Sequence, residues 1–122
     1  MSTIILGIES TAHTAGVGII TSEGKILSNQ RSVYIPEKGA GIHPREAANY
    51  HSQNLPNLFK KAFEEAKISR DEISLVSYAR GPGLGPCLRT GATAARAFAY
   101  SHDIPLLGVN HCVAHLEIGI LE

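Results

Sequence analysis

The amino-acid sequence predicts an α/β protein with the element order β-β-β-α-β-α-β-α and a mixed sheet that carries helices on both faces. Three observations predict this fold class. Apolar runs rich in isoleucine and valine fill the first third, apolar residues then recur every three or four positions, and glycine- or proline-containing breaks separate the segments. A meander followed by right-handed crossovers gives such a sheet. The 122 residues suffice for one domain with its own core.

The first third of the chain is predicted to form three strands joined by short turns. The run "TIILGIE" is followed after a polar turn by "GVGIITS", and "EGK" marks a tight reversal before "ILSNQRSVYI". Three such strands form a β-meander, which we expect to end at Pro36 and the loop "EKGAGIHP".

A long helix is predicted from Pro44 to Lys67, because proline suits the first turn of a helix and the apolar period then changes to three and four. Pro56 lacks an amide hydrogen, so we expect a kink or break there. The apolar stripe comprises Ala47, His51, Leu55, Leu58, Ala62 and Ala66, and Phe59 and Phe63 broaden it.

The second half of the chain alternates strands and helices. "SLVSYA" is a short strand, and "RGPGLGPCLRTG" is a glycine-rich loop that opens a helix of unusually small side chains, which predicts packing on more than one side. That loop either presents backbone N–H groups to a ligand or only supplies a tight crossover. "IPLLGV" is predicted to be a buried strand, and a last helix follows it.

Composition excludes several function classes. Eleven basic residues balance eleven acidic ones, so the chain as a whole has no electrostatic attraction to nucleic acid or membrane. Two cysteines do not make a disulfide framework, and the start "MSTIILGIES" resembles neither a signal peptide nor a membrane span. We expect a reduced, cytoplasmic protein.

The loop between the first two strands is a candidate binding site. Ser10, Thr11 and His13 crowd it, and hydroxyls and backbone N–H groups in such a turn can hold a phosphate or polarise a carbonyl group. The alternative is a polar hairpin tip. Glu9 stands out, because a carboxylate on an apolar strand is either paired or placed for chemistry.

Two histidines spaced four apart, His111 and His115, form the second candidate site. On a helix they share one face and can supply two ligands to zinc or iron, although a catalytic metal usually needs a third. The alternative is a pair of ordinary helix histidines. Cys112 points about 100° away from His111. It also replaces the glutamate of the zinc-protease motif, which disfavours a zinc peptidase.

Three ordered stretches together resemble one family: "ILGIESTAHTAGVGI", "ARGPGLGPCLRTGATAARAFA" and "GVNHCVAHLEIG". They look like the N-terminal half of the KEOPS catalytic subunit, in the archaeal and eukaryotic branch of the TsaD-type tRNA threonylcarbamoyltransferases, formerly called O-sialoglycoprotein endopeptidase. "HPREAANYH" fits as well, so the resemblance covers essentially the whole chain.

The resemblance implies an actin-like ATPase fold, of which this chain is one ribonuclease-H-like lobe. It implies transfer of a threonylcarbamoyl group from threonylcarbamoyl-adenylate to the adenosine beside the tRNA anticodon, with an iron or zinc ion and an adenine nucleotide in the full-length protein. His111 and His115 match the family's histidine ligands. Glu9, Ser10, Thr11 and His13 match its nucleotide- and carbamoyl-facing loop.

The resemblance also implies partners and a missing half. The remaining metal ligands come from a second lobe, so this chain alone is expected to be inactive. KEOPS adds an atypical kinase and a small dimerising subunit, and the wide apolar stripe from Pro44 to Lys67 is the candidate surface for the latter, unless it only packs on the sheet. The alternative function is a non-catalytic lobe that docks KEOPS partners. Self-association through the uncovered lobe surface is also expected.

Overall fold

A computed structural model describes residues 3–36, 41 and 43–114. In this part of the chain five strands and two long helices follow one another in the predicted order, and residues 111–114 begin a further helix. Among the described residues no helix is long and apolar enough to cross a membrane. The elements are β1 (Ile4–Ser10), β2 (Thr14–Thr21), β3 (Ile26–Val33), α1 (Pro44–Ala66), a 3-10 turn (Arg70–Glu72), β4 (Leu75–Gly81), α2 (Gly85–His102) and β5 (Leu106–Asn110).

The strands form one mixed sheet in the order β3-β2-β1-β4-β5. The first three strands pair antiparallel, as expected for a meander, and Gly24 at φ 91° permits the tight reversal between β2 and β3. β4 lies parallel to β1, and β5 lies parallel to β4. The carboxyl ends of β1, β4 and β5 therefore meet at one edge of the sheet.

The hydrophobic core lies between one face of the sheet and the two helices. Alternation along β1 places Leu6 and Ile8 on this face, opposite Ile19 and Val17 of β2. α1 contacts β2 and β3, α2 contacts β1 and β4, and the two helices contact each other. The small residues of α2 permit this close packing: Gly91, Ala95 and Ala99 are buried. Packing of α2 on more than one side is confirmed.

The opposite face of the sheet carries a cavity of about 410 Å³. Its floor is shallow because Gly7, Gly16 and Gly18 present no side chains there, and His111 and Ala114 of the last helical turn stand at its edge. α1 and α2 thus cover one face, and a third helix begins on the other. The predicted fold class is confirmed.

Two local expectations differ from the structure. Helix α1 runs through Pro56 without a break, because Leu55 and Leu58 on either side of it are buried in the core and hold the helix in place. β5 is an edge strand rather than a buried one: Leu107 is 53% exposed.

The wide apolar stripe of α1 is explained by packing inside the lobe. Phe63 is only 7% exposed and its ring stacks on Phe98 at a centroid distance of 5.9 Å. The stripe residues Ala47, His51, Leu55, Leu58 and Ala62 are likewise buried. The breadth of the stripe therefore gives no support to a partner surface between Pro44 and Lys67.

Candidate functional site

The candidate site lies at the edge where the parallel strands end. In α/β sheets this edge is where ligands commonly bind, since the loops that follow the strands converge there. Three segments meet at this edge: residues 11–13, which form the β1–β2 turn, residues 82–84 after β4, and the helical turn that starts at His111 after β5.

Glu9 and His111 form the central contact of the site. Oε1 of Glu9 lies 2.9 Å from Nδ1 of His111, and both side chains are half-buried, at 38% and 24% exposure. The contact joins β1 to the segment after β5, and Ser77, Tyr78 and Ala79 of the intervening strand β4 line the same cavity. A carboxylate on one ring nitrogen fixes the tautomer and the orientation of a histidine, which is the usual arrangement behind a metal-binding imidazole. Metal coordination by His111 would accordingly use Nε2.

Thr11 joins the same carboxylate. Its Oγ1 donates a hydrogen bond to Oε1 of Glu9 at 3.3 Å. The oxygen that faces His111 is therefore also the one that holds the first residue of the β1–β2 turn. The structure brings Glu9, Thr11 and His111 together.

The β1–β2 turn is held by its backbone carbonyls. Leu84 N–H donates to the carbonyl of Thr11 at 2.7 Å, and Tyr34 N–H donates to that of His13 at 2.7 Å. Between them, the carbonyl of Ala12 lies 2.7 Å from Nε2 of His51. Three consecutive carbonyls are thus bonded to three different segments of the chain.

His51 is a site residue that the sequence did not single out. It lies in the apolar stripe of α1 and is 0% exposed. The signal that could have identified it is a histidine at a stripe position predicted to be buried, because a buried imidazole needs a hydrogen-bond partner. Nothing in its sequence neighbourhood points to a partner 39 residues away.

Cys87 of α2 lies against the same turn. Its Sγ is 3.9 Å from the carbonyl oxygens of both Ala12 and Pro44. Burial raises the pKa of the Cys87 thiol, so the neutral S–H form is favoured and can donate weakly to one of these oxygens.

Two of the predicted loop residues lie elsewhere. Ser10 is 1% exposed and faces α2, because alternation along β1 places it on the opposite side of the sheet from Glu9. An added Cβ at Gly91 would lie 3.1 Å from Cβ of Ser10, so the helix passes directly over it. The side chain of His13 is exposed to solvent.

The predicted metal pair is described only in part. His115 lies outside the described residues. Within the described part of the chain, no three His, Cys, Asp or Glu side chains are grouped so that they could hold a metal ion, and Cys112 is exposed. The donor set presented here fits one oriented histidine ligand rather than a complete site.

Solved structures of the same fold class include YeaZ from Pseudomonas aeruginosa, with a TM-score of 0.70 and 18% sequence identity over 88% of this chain and 43% of that chain. RuvC from T. thermophilus in complex with a Holliday junction substrate matches with a TM-score of 0.52 and 12% identity, over 90% of this chain and 66% of that chain. At such identities the likeness shows the fold, which is ribonuclease-H-like, and nothing more.

Sequence relatives are much closer. A tRNA N6-adenosine threonylcarbamoyltransferase from Methanopyrus kandleri is 56% identical over 118 residues, which are 97% of this chain but 34% of that protein. A probable bifunctional tRNA threonylcarbamoyladenosine biosynthesis protein from Methanothermobacter thermautotrophicus is 54% identical over 97% of this chain and 22% of its own length. The chain thus spans 34% and 22% of the lengths of these two relatives. The model of the family described as TsaD, tRNA N6-adenosine threonylcarbamoyltransferase, matches residues 25–122, and the chain belongs to this family.

Proposed function

We propose that the chain is the N-terminal lobe of an enzyme that transfers a threonylcarbamoyl group from threonylcarbamoyl-adenylate to N6 of an adenosine next to the tRNA anticodon, in the cytoplasm. Membership of the TsaD family supports the reaction class. The observation that carries the proposal is the pair formed by Glu9 and His111, at the sheet edge where ligands of this fold class are expected.

The reaction exchanges one bond at the carbamoyl carbon for another. N6 of the adenosine attacks that carbon, the bond to the phosphate oxygen breaks, AMP leaves, and N6 loses a proton. Such a transfer depends mainly on holding the two substrates in line and on stabilising charge that develops on the carbonyl and phosphate oxygens. This lobe would form one wall of the cleft, and a second lobe would form the other.

The chain's own residues divide this task. His111 and His115 would be two ligands of one iron or zinc ion, with Glu9 holding the imidazole of His111 in place. The ion, when bound, supplies Lewis-acid polarisation of a substrate oxygen. The β1–β2 turn, with Thr11 hydrogen-bonded to Glu9, would face the carbamoyl-adenylate. Of the two other loop candidates, His13 is exposed and can contact the substrate, whereas the side chain of Ser10 is buried against α2.

A chimaera tests the proposal. In this chimaera, our chain replaces the 118-residue matched segment of the Methanopyrus kandleri relative. The rest of that relative supplies the second lobe. We expect the purified chimaera to form threonylcarbamoyladenosine on tRNA from threonylcarbamoyl-adenylate. His111→Ala is expected to abolish the reaction and to lower the bound iron or zinc, measured by elemental analysis after anaerobic desalting.

His43→Ala is the matched control, because His43 is exposed and its side chain makes no capping hydrogen bond to α1. It should retain activity and metal. Glu9→Gln should bind metal about 10- to 100-fold more weakly, the usual cost of losing such a partner. A folded chimaera that is inactive beside an active parent, or a His111→Ala variant that keeps full activity, would refute the assignment.

A second candidate function is a docking lobe for the KEOPS small dimerising subunit or the atypical kinase. The observation that favours it is a polar groove between the outer faces of α1 and α2, lined among others by Arg45, Asn49, Arg89 and Thr93. Two arginines there suit an acidic partner surface. Arg89→Glu should weaken binding of a purified partner without changing the melting temperature, whereas unaltered binding argues against this surface.

A further inference from the structure

We propose that His51 is a positioning residue for the candidate site, which it serves by fixing the backbone of the β1–β2 turn. It belongs to α1, on the core side of the sheet, and has no contact with Glu9 or His111 among the described hydrogen bonds. Its meaning for catalysis rests on the proposed threonylcarbamoyl transfer, while its effect on the turn does not.

The geometry fixes the role of each ring nitrogen. The carbonyl oxygen of Ala12 can only accept, so Nε2 of His51, 2.7 Å away, must carry the hydrogen and donate. Nδ1 is buried and has no partner among the described residues. A neutral imidazole with its hydrogen on Nε2 is therefore the form that satisfies this environment, since a second N–H would be buried without an acceptor.

Core filling alone does not account for a histidine here. The position is 0% exposed and lies in an apolar stripe, where leucine or methionine would fill the same space without burying an unpaired nitrogen. The hydrogen bond to Ala12 is the feature that only a donor can supply. Its target is the middle carbonyl of the three that hold the turn.

The effect on the site is transmitted through two covalently adjacent residues. Fixing Ala12 fixes Thr11, whose carbonyl already accepts from Leu84 N–H. Thr11 Oγ1 then reaches the Glu9 oxygen that faces His111. Without the His51 hydrogen bond, the peptide unit between Ala12 and His13 can rotate, and the hydroxyl of Thr11 is held beside the carboxylate by fewer restraints.

Hydrogen exchange in the 122-residue chain tests this with two variants. His51→Met keeps the approximate volume and removes the donor, whereas His51→Gln keeps an N–H donor. The reporters are the amide hydrogens of Leu84 and Tyr34, which donate to the neighbouring carbonyls of the turn. Val76, whose N–H donates to Pro105 at the other end of β4, is the internal control.

We expect His51→Met to accelerate exchange at Leu84 and Tyr34 by about fivefold or more, with Val76 unchanged and His51→Gln close to wild type. Unchanged rates at Leu84 and Tyr34 would overturn the proposal. Equal acceleration at Val76 would also overturn it, because it would make His51 a core residue only. Nitrogen-15 shifts should show the hydrogen on Nε2, and a hydrogen on Nδ1 would refute the assigned geometry.

The catalytic part is tested in the chimaera. His51→Met should lower kcat with little change in the KM for tRNA, and His51→Gln should restore most of kcat. A kcat unaffected by His51→Met overturns the catalytic meaning of the positioning. If the unmutated chimaera is inactive, the proposed function has failed, and the exchange rates still decide whether His51 positions the turn.

Discussion

Replacing Gly83 with alanine should destabilise the lobe by displacing the β1–β2 turn. An added Cβ at Gly83 would lie 2.7 Å from the carbonyl oxygen of Thr11, 3.0 Å from its Cβ and 3.1 Å from its Cα. Backbone atoms cannot rotate away as the end of a flexible side chain can. The loop after β4 and the turn must therefore move apart.

The cost follows from two contributions. Relieving an overpacked contact of this kind costs about 1–3 kcal/mol. The separation also weakens the 2.7 Å hydrogen bond from Leu84 N–H to the Thr11 carbonyl, a contribution of about 1 kcal/mol. We expect a loss of roughly 2–4 kcal/mol in the free energy of unfolding, a large part of the stability of a small domain.

Gly85→Ala is the matched control two residues along the chain. Gly85 begins α2, and among the described residues beyond its chain neighbours and the backbone of its own helix, an added Cβ there would meet only the Nη1 atom of Arg89, at 3.6 Å. Alanine at Gly85 restricts the unfolded chain, a gain of about 0.4–1 kcal/mol, but the proline that follows, Pro86, disfavours helical backbone at a residue with a Cβ. Because these effects oppose each other, we expect Gly85→Ala to unfold close to wild type, whereas Gly83→Ala makes the same chemical change at a large cost.

Urea unfolding followed by circular dichroism measures both variants. With a denaturant dependence of about 2 kcal/mol per molar urea, the two midpoints should differ by about 1–2 M. Equal midpoints would refute the reasoning, because they would mean that Gly83 does not lie against Thr11. Metal content and transfer activity of the Gly83→Ala chimaera then show whether the site tolerates the displaced turn.

The remaining predictions concern thiols, one carboxylate and the core. N-ethylmaleimide should modify exposed Cys112 much faster than Cys87, whose pKa is raised by burial, and mass spectrometry of the two peptides checks this. Hydrogen bonds to Oε1 from Asn29 N–H and then from the side chain of Gln30 lower the pKa of Glu65 from 4.5. Because the pKa of Glu65 is lower in the folded state, its carboxylate contributes fully to the free energy of unfolding above about pH 4.5, and this contribution is lost as the pH falls through the folded-state pKa. Glu65→Gln should therefore make the free energy of unfolding less dependent on pH in the acid range. Phe63→Ala should cost about 3–5 kcal/mol in urea unfolding, and Phe59→Ala less, because Phe59 is only partly buried.

Alternation and period were sufficient to predict the strands and helices. The isoleucine-rich runs became β1 and β2, and the change of period at Pro44 became the start of α1. The crossover rule predicted a mixed sheet, but not that β4 pairs with β1 in parallel. Periodicity could not predict whether α1 breaks at Pro56, because the continuation of a helix through a proline depends on how the neighbouring residues pack.

The division of the first loop between two faces was harder to predict. Alternation states that Glu9 and Ser10 point in opposite directions, but β1 has apolar residues of both parities, so the sequence does not show which face meets the helices. The pairing of β1 with β2 shows which face meets the helices, because Ile8 lies opposite Val17 and both are buried. Ser10 follows Ile8 into the core, and Glu9 is left on the cavity face.

The shape of the candidate site depends on residues that are remote in sequence. Each carbonyl of the β1–β2 turn is held by a different element, through His51 of α1, Leu84 before α2 and Tyr34 after β3. The side chain of Glu9 is paired with a residue that follows the last described strand. The motif "GIESTAHTAG" therefore cannot take its functional conformation by itself; it acquires that conformation only when the sheet and both helices have packed. For this reason a substitution at His51 or Gly83, outside the β1–β2 turn itself, is expected to act on the site as strongly as one within the turn.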